Sequence, residues 1–261
     1  MNAWLALTKK EFRLGLPAFL VALILFAGVV AGGYFFGNYI GYEQEFLTAA
    51  FIIIVMLHVF SLMFYSLYSL NVERKRLHLW LHTPMPIAGL LISKLVTGIV
   101  FKGFTFIIAI TSLALFFNHH YDIFNEQTIA NIVGLISISI FVYGLSIAIT
   151  FIFFWSIFLT LSKRMNDFLS FILTFIVFLI MAWAYDKFIH LAFMETLTNW
   201  GAIQLKDITV EFEFSIVKDA FEVETISEAS VFYIGHFVRE LIVTVIMFIT
   251  ACWIIEKKAE V

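Results

Sequence analysis

The side chains that could do chemistry here are few, and each implies a different reaction. Ser146, in the apolar run Gly144-Leu-Ser146-Ile147, becomes a nucleophile only if a base such as His236 or His58 comes within hydrogen-bonding range. His119 and His120, with Asp122 close by, offer nitrogen and oxygen ligands for a metal, although adjacent histidines in a hydrated loop are ordinarily just solvated. His58, alone in an apolar stretch, is a candidate polar group on a translocation path, or else a neutral ring bonded to a neighbouring helix. Between Asn71 and Lys94 lie the densest positive charge and two of the three prolines. Nucleotide chemistry is excluded in its usual form, because no Gly-x-x-x-x-Gly-Lys-Ser/Thr loop is present, and a His-Glu-x-x-His zinc helix is missing too.

Positioning these groups falls to a lipid-like chain. Of 261 residues, 62% are hydrophobic and 13% charged, against about a quarter charged in an ordinary soluble domain. The mean hydropathy is +0.99. The expected fold class is therefore an all-α integral membrane protein, a single domain spanning 1–261. The lone Cys252 rules out an intrachain disulfide.

Six spans can be placed along the chain. Residues 1–16 read as an amphipathic interfacial helix, with Trp4, Leu5, Phe12 and Leu16 on one side and Lys9, Lys10 and Arg13 opposite or flanking. Pro17 opens the first span, in which Gly28, Gly32, Gly33 and Gly37 form two overlapping Gly-x-x-x-Gly pairs suited to close helix packing. The second span covers about 46–70 and the third about 95–117, with Lys102 placed to snorkel back to the surface. From Ile129 to Leu161 run 33 residues without a formal charge, more than the roughly 20 needed to cross, so the fourth span must be tilted, broken or extended. The fifth covers 168–185 and the sixth about 231–255. Between them, residues 186–230 form a small subdomain with nine acids against three lysines. There Ile208, Val210, Phe212 and Phe214 alternate with polar residues as a strand would, and a return through Phe221 and Val223 after Lys218-Asp219 makes either a hairpin or a helix.

Charge fixes the expected orientation. The amino terminus, the 71–94 loop, the 162–167 turn and the carboxyl tail gather Lys9, Lys10, Arg13, Arg74, Lys75, Arg76, Lys94, Lys163, Arg164, Lys257 and Lys258 on one side. By the positive-inside rule both termini are cytoplasmic, in a multi-pass plasma-membrane protein, and residues 186–230 are extracellular.

Within the 71–94 loop, a helix over 73–82 puts Arg74, His78 and His82 on one stripe and Leu77, Trp80 and Leu81 on another, until Pro84 and Pro86 stop it. Glu73-Arg74-Lys75-Arg76, then Leu79-Trp80-Leu81-His82-Thr83-Pro84, then Gly89-Leu90-Leu91-Ile92-Ser93-Lys94, resembles the first cytoplasmic loop of ABC-2 type ABC-transporter permeases. Leu77 and His78 depart from the Gly-Thr common at that point in the family. The resemblance implies that residues 1–16 are an elbow helix. It also implies that Glu73, Arg74, Lys75, Arg76, Leu77, Trp80, Leu81, Thr83 and Pro84 form a coupling helix seated on an ATPase. The chain would bind no cofactor itself. Two cytosolic ATPase subunits would hold ATP and Mg, a second permease copy or paralogue would complete the pair, and the setting would be a bacterial membrane with lipid, not nucleic acid, as partner.

Two other readings stand beside it. Ser146 with His236 and His58 resembles the layout of six-span rhomboid proteases, yet Ser146 lies about 25 Å into its span and His236 only about 8 Å into its own. The glycine expected after the serine is Ile147. A non-transporting structural or accessory membrane protein is the other alternative.

Overall fold

The computed structural model describes the backbone of residues 3–74, 85–120, 126–205, 210–215, 220–225 and 230–258, and the side chains of 4–74, 85–116, 133–202 and 233–257. Six helices are long and apolar enough to cross a membrane. They are α1 (Ala3–Ile40), α2 (Glu43–Arg74), α3 (Ile87–His120), α4 (Glu126–Ser162), α5 (Asp167–Ile189) and α7 (Ile234–Lys258), with a short α6 (Ala192–Thr198) before the last. Their outward faces are apolar: Phe168, Phe171, Phe175, Leu179 and Trp183 all stand exposed along α5. A contiguous surface of that kind requires lipid around it. This is a multi-pass membrane protein.

α1 packs on α2 and α3, α2 on α3 and α4, and α4 on α5 and α7. Gly41, at φ +90°, makes the tight turn from α1 into α2. Of the four glycines expected to pack helices, Gly33 and Gly37 do so. A Cβ on Gly33 would stand 3.0 Å from the Ala50 Cβ, and one on Gly37 2.8 Å from the Glu43 Cα. Gly28 and Gly32 face nothing within 4 Å among the described residues.

Two buried clusters fill the bundle. One, around Leu62, Leu91, Ala148, Ile152 and Ile255, lies toward the end where α2 ends and α3 begins. The other, Ile54, Val55, Phe106, Ala109 and Ile140, lies farther along. The first is called here the basic end.

Several expectations need correction. Residues 3–16 are not a separate elbow: α1 runs unbroken through Pro17 for 38 residues. Proline removes one backbone donor, but a membrane helix tolerates this where neighbours hold it in line, and Glu11 is held tightly against α2 and α3. Nor is Glu73 the start of a new element, because Glu73 and Arg74 are the last residues of α2. Residues 75–84, with Lys75, Arg76, Leu77, Trp80, Leu81, Thr83 and Pro84, lie outside the described residues. The long charge-free run, expected to be tilted, broken or extended, is not broken: it lies in one α4 of 37 residues, about 56 Å and so longer than the bilayer core.

The segment between α5 and α7 folds as nested antiparallel ladders. β1 (Ala202–Leu205) pairs with β4 (Ser230–Tyr233), and β2 (Val210–Ser215) pairs with β3 (Ala220–Thr225) in a register that sets Phe212 opposite Val223 and Phe214 opposite Phe221. Lys218 and Asp219 lie outside the described residues.

Candidate functional site

The densest set of buried charges sits at the basic end, where three helices meet. On α2, Tyr65, Ser69 and Glu73 follow one another at four-residue spacing and so share one face. All three are buried. α1 brings Glu11 against this face, and α3 brings Lys94.

The Lys94 Nζ donates to Glu11 Oε1 at 2.9 Å, to Glu11 Oε2 at 3.0 Å and to the Ser69 Oγ at 2.8 Å. Ser69 in turn donates to Glu11 Oε2 at 3.1 Å. Glu73 Oε1 lies 3.6 Å from the same ammonium and accepts from the Lys10 Nζ at 3.1 Å. Exposure of the central pair is 2% for Lys94 and 0% for Glu11. A buried charge survives only with counter-charges and hydrogen bonds; here Glu11 and Glu73 are matched by Lys94 and Lys10. One polar atom nearby is left over. The Tyr65 hydroxyl is buried without a hydrogen-bond partner among the described residues.

Close approach is what allows the cluster to form. A Cβ on Gly15, one turn beyond Glu11, would stand 2.7 Å from the Tyr65 ring and 2.6 Å from the Phe101 ring. Arg74 extends the connections outward: it donates to Asp167 Oδ1 at 2.6 Å and lies 4.9 Å above the Phe158 ring. Asp167 opens α5, just after the Asn166 cap. Glu73 and Arg74, the last two residues of α2, thus fasten it to α1, α3, α4 and α5.

No family model, curated protein or solved structure matches this chain.

Of the predicted site residues, Glu73 turns inward and Arg74 reaches sideways to α5, so both hold the end of α2 in place. His58 donates from Nδ1 to the Ile54 carbonyl at 2.7 Å and packs edge-on to Phe106. His236 pairs through Nε2 with the Asn199 Oδ1 at 3.2 Å. Neither histidine bonds Ser146 among the described residues, so the three side chains of the protease layout are not brought together. The side chains of His119, His120 and Asp122 lie outside the described residues.

Sequence reasoning missed Glu11 and Lys102. One signal for Glu11 was present: on a helical wheel it falls about 160° from Lys9, on the side away from the cationic face. Lys102 does not snorkel. It is 3% exposed and donates to the Ile140 carbonyl of α4 at 2.9 Å. Its seat exists because Gly144 has no side chain, since a Cβ there would collide with the Lys102 Nζ.

Proposed function

We propose that this chain is the transmembrane permease subunit of an ATP-driven transporter of the ABC-2 type. It exports a lipid-linked, peptide or other amphipathic substrate, and it works with a second copy or paralogue and two cytosolic ATPase subunits. Support comes from the sequence of the 71–94 loop and, above all, from one structural observation. The Glu11–Lys94–Ser69–Glu73 cluster ties both stems of that loop to α1.

A loop that transmits force from a partner needs rigid stems, because a push on a loosely held loop is absorbed locally. Here the exit of α2 and the entry of α3 share one buried ammonium, so displacement of the loop moves α1, α2 and α3 together. The loop's own surface, with Trp80 as an aromatic anchor, then docks on the ATPase as a short helix in a groove. Both termini are cytoplasmic in this reading.

The test is co-purification. A P-loop ATPase should be recovered with the tagged chain, and Trp80→Ala should weaken its binding by about 1 to 3 kcal/mol, as loss of an aromatic hot spot does. The melting temperature of the isolated chain should not change, while substrate-stimulated ATP hydrolysis should fall. In a Cys252→Ser background, Glu45→Cys should react with an impermeant thiol reagent in whole cells and Arg164→Cys should not. Wild-type ATPase recovery and full transport by Trp80→Ala, or labelling of residue 164 from outside, would defeat the reading.

A further inference from the structure

Lys102 lies about 22 Å along α3 from Ile87 and about 27 Å from His120, at 1.5 Å per residue, and hence near the middle of the membrane. Its ammonium has three N–H donors. The structure supplies the Ile140 carbonyl at 2.9 Å and the face of the Phe141 ring, 5.1 Å away. No carboxylate stands within 4.0 Å of it among the described residues. A cation held at this depth with a single carbonyl acceptor carries unbalanced positive charge into a low-dielectric interior.

The surroundings form a box from three helices. Phe106 of α3 meets His58 of α2 edge-on at 5.5 Å and Phe141 of α4 at 5.7 Å. Unlike Lys102, His58 and Phe141 are only half-buried, so these two side chains reach the surface of the bundle. A resident lipid cannot place its headgroup here, since the hydrocarbon core is about 30 Å thick and headgroups stay at its edges. A counter-anion that reaches Lys102 has to enter between the helices.

We propose that Lys102 anchors the anionic group of a hydrophobic anion, and that the substrate class of this permease is an anionic amphiphile. This rests on the permease reading, whose substrate it narrows. Apolar walls from Phe106 and Phe141 suit the hydrophobic body, and the ammonium selects the sign of its charge.

The experiment uses two hydrophobic ions of nearly equal size and opposite charge, tetraphenylborate and tetraphenylphosphonium. Each is titrated into the full chain in phosphatidylcholine nanodiscs, with empty nanodiscs as the blank. The wild type should hold the borate about tenfold more tightly than the phosphonium, the effect of one charged contact. Lys102→Met should abolish the preference, and Lys102→Gln is the second neutral variant if the first does not fold. Equal binding by the wild type, which needs no variant, overturns the proposal. So does a preference that survives loss of Lys102, which would place the site elsewhere. Gly144→Ala separates an anchor from a structural pin: it pushes the ammonium from its seat but keeps the charge, so the borate preference should persist. A pin predicts lowered stability in both variants and no ion preference in either. An anion preference in a chain that recruits no ATPase would defeat the permease reading alone, and ATPase recruitment without the preference would defeat this proposal alone.

Discussion

Lys94 and Lys102 stand eight residues apart on one helix and are equally buried, at 2% and 3% exposure, yet their surroundings are opposites. Lys94 has two carboxylates, Glu11 and Glu73, and a hydroxyl within reach. Lys102 has a backbone carbonyl and an aromatic face. Burial alone therefore does not define what an intramembrane lysine does. Where counter-charges close the sum, the ammonium binds helices together and is structural. Where they do not, the leftover field is available to something that enters from outside the chain.

The largest effect that could break this comparison is expected at Lys94. Lys94→Met leaves the Glu11 carboxylate with Ser69 as its one donor among the described residues, in a site with no exposure, and breaking a buried pair in this way costs about 3 to 5 kcal/mol. The melting temperature in detergent should fall steeply, with loss of monodisperse protein. Glu11→Gln combined with Lys94→Met should recover part of the loss, because the stranded charge is then gone. Lys102→Met should be far milder, since it strands no carboxylate among the described residues. Similar melting curves for the two single lysine variants would erase the distinction between them.

A middle-sized effect sharpens the other side of the comparison. At Gly144 a Cβ would collide with the Lys102 Nζ and lie 2.9 Å from the Val59 carbonyl oxygen. Overpacking of this kind costs about 1 to 3 kcal/mol. In a Lys102→Met background the penalty should shrink, because the pliant methionine can bend away where the tethered ammonium cannot. A double-mutant cycle on thermal unfolding reads the coupling, and strict additivity would mean that Gly144 does not make the lysine's seat.

These two lysines also mark where the sequence could be read and where it could not. The six long helices were legible, because runs of apolar residues of membrane length have no other stable state. Half of the glycine pattern was legible as well: Gly33 and Gly37 meet α2, whereas Gly28 and Gly32 have the same spacing and meet nothing within 4 Å among the described residues. Spacing says that backbones can approach, not that a partner is present. Glu11 was hidden because periodicity within one helix carries no knowledge of Ser69 and Lys94, which lie 58 and 83 residues away in sequence. Lys102 was misread for a related reason. Its distance from the helix end allows snorkelling, and only Gly144, on a different helix, turns the side chain inward. Pro17 was read as a boundary because local propensity disfavours an interior proline, yet α1 runs through it unbroken, as membrane helices allow.

The smallest expected effect comes from the shortest ion pair at the basic end. Arg74 donates to Asp167 at 2.6 Å, yet the two side chains are 32% and 61% exposed. Water and salt screen such a pair, and measured exposed pairs contribute about 0 to 1 kcal/mol. Asp167→Ala should therefore lower the melting temperature only slightly, and the difference should shrink further at high ionic strength. Two features limit the damage. Asn166 still caps α5 by accepting from the Phe168 amide at 3.2 Å, and Arg74 still rests over Phe158. Distance alone would rank Arg74–Asp167 above Glu11–Lys94, which is longer at 2.9 Å. Burial ranks them the other way, because the penalty for an unpaired charge grows as water is removed. Thermal unfolding of Asp167→Ala and Lys94→Met at low and high salt decides between the two rankings. A salt-insensitive loss at Asp167 as large as that at Lys94 would mean that burial does not set the strength of these pairs.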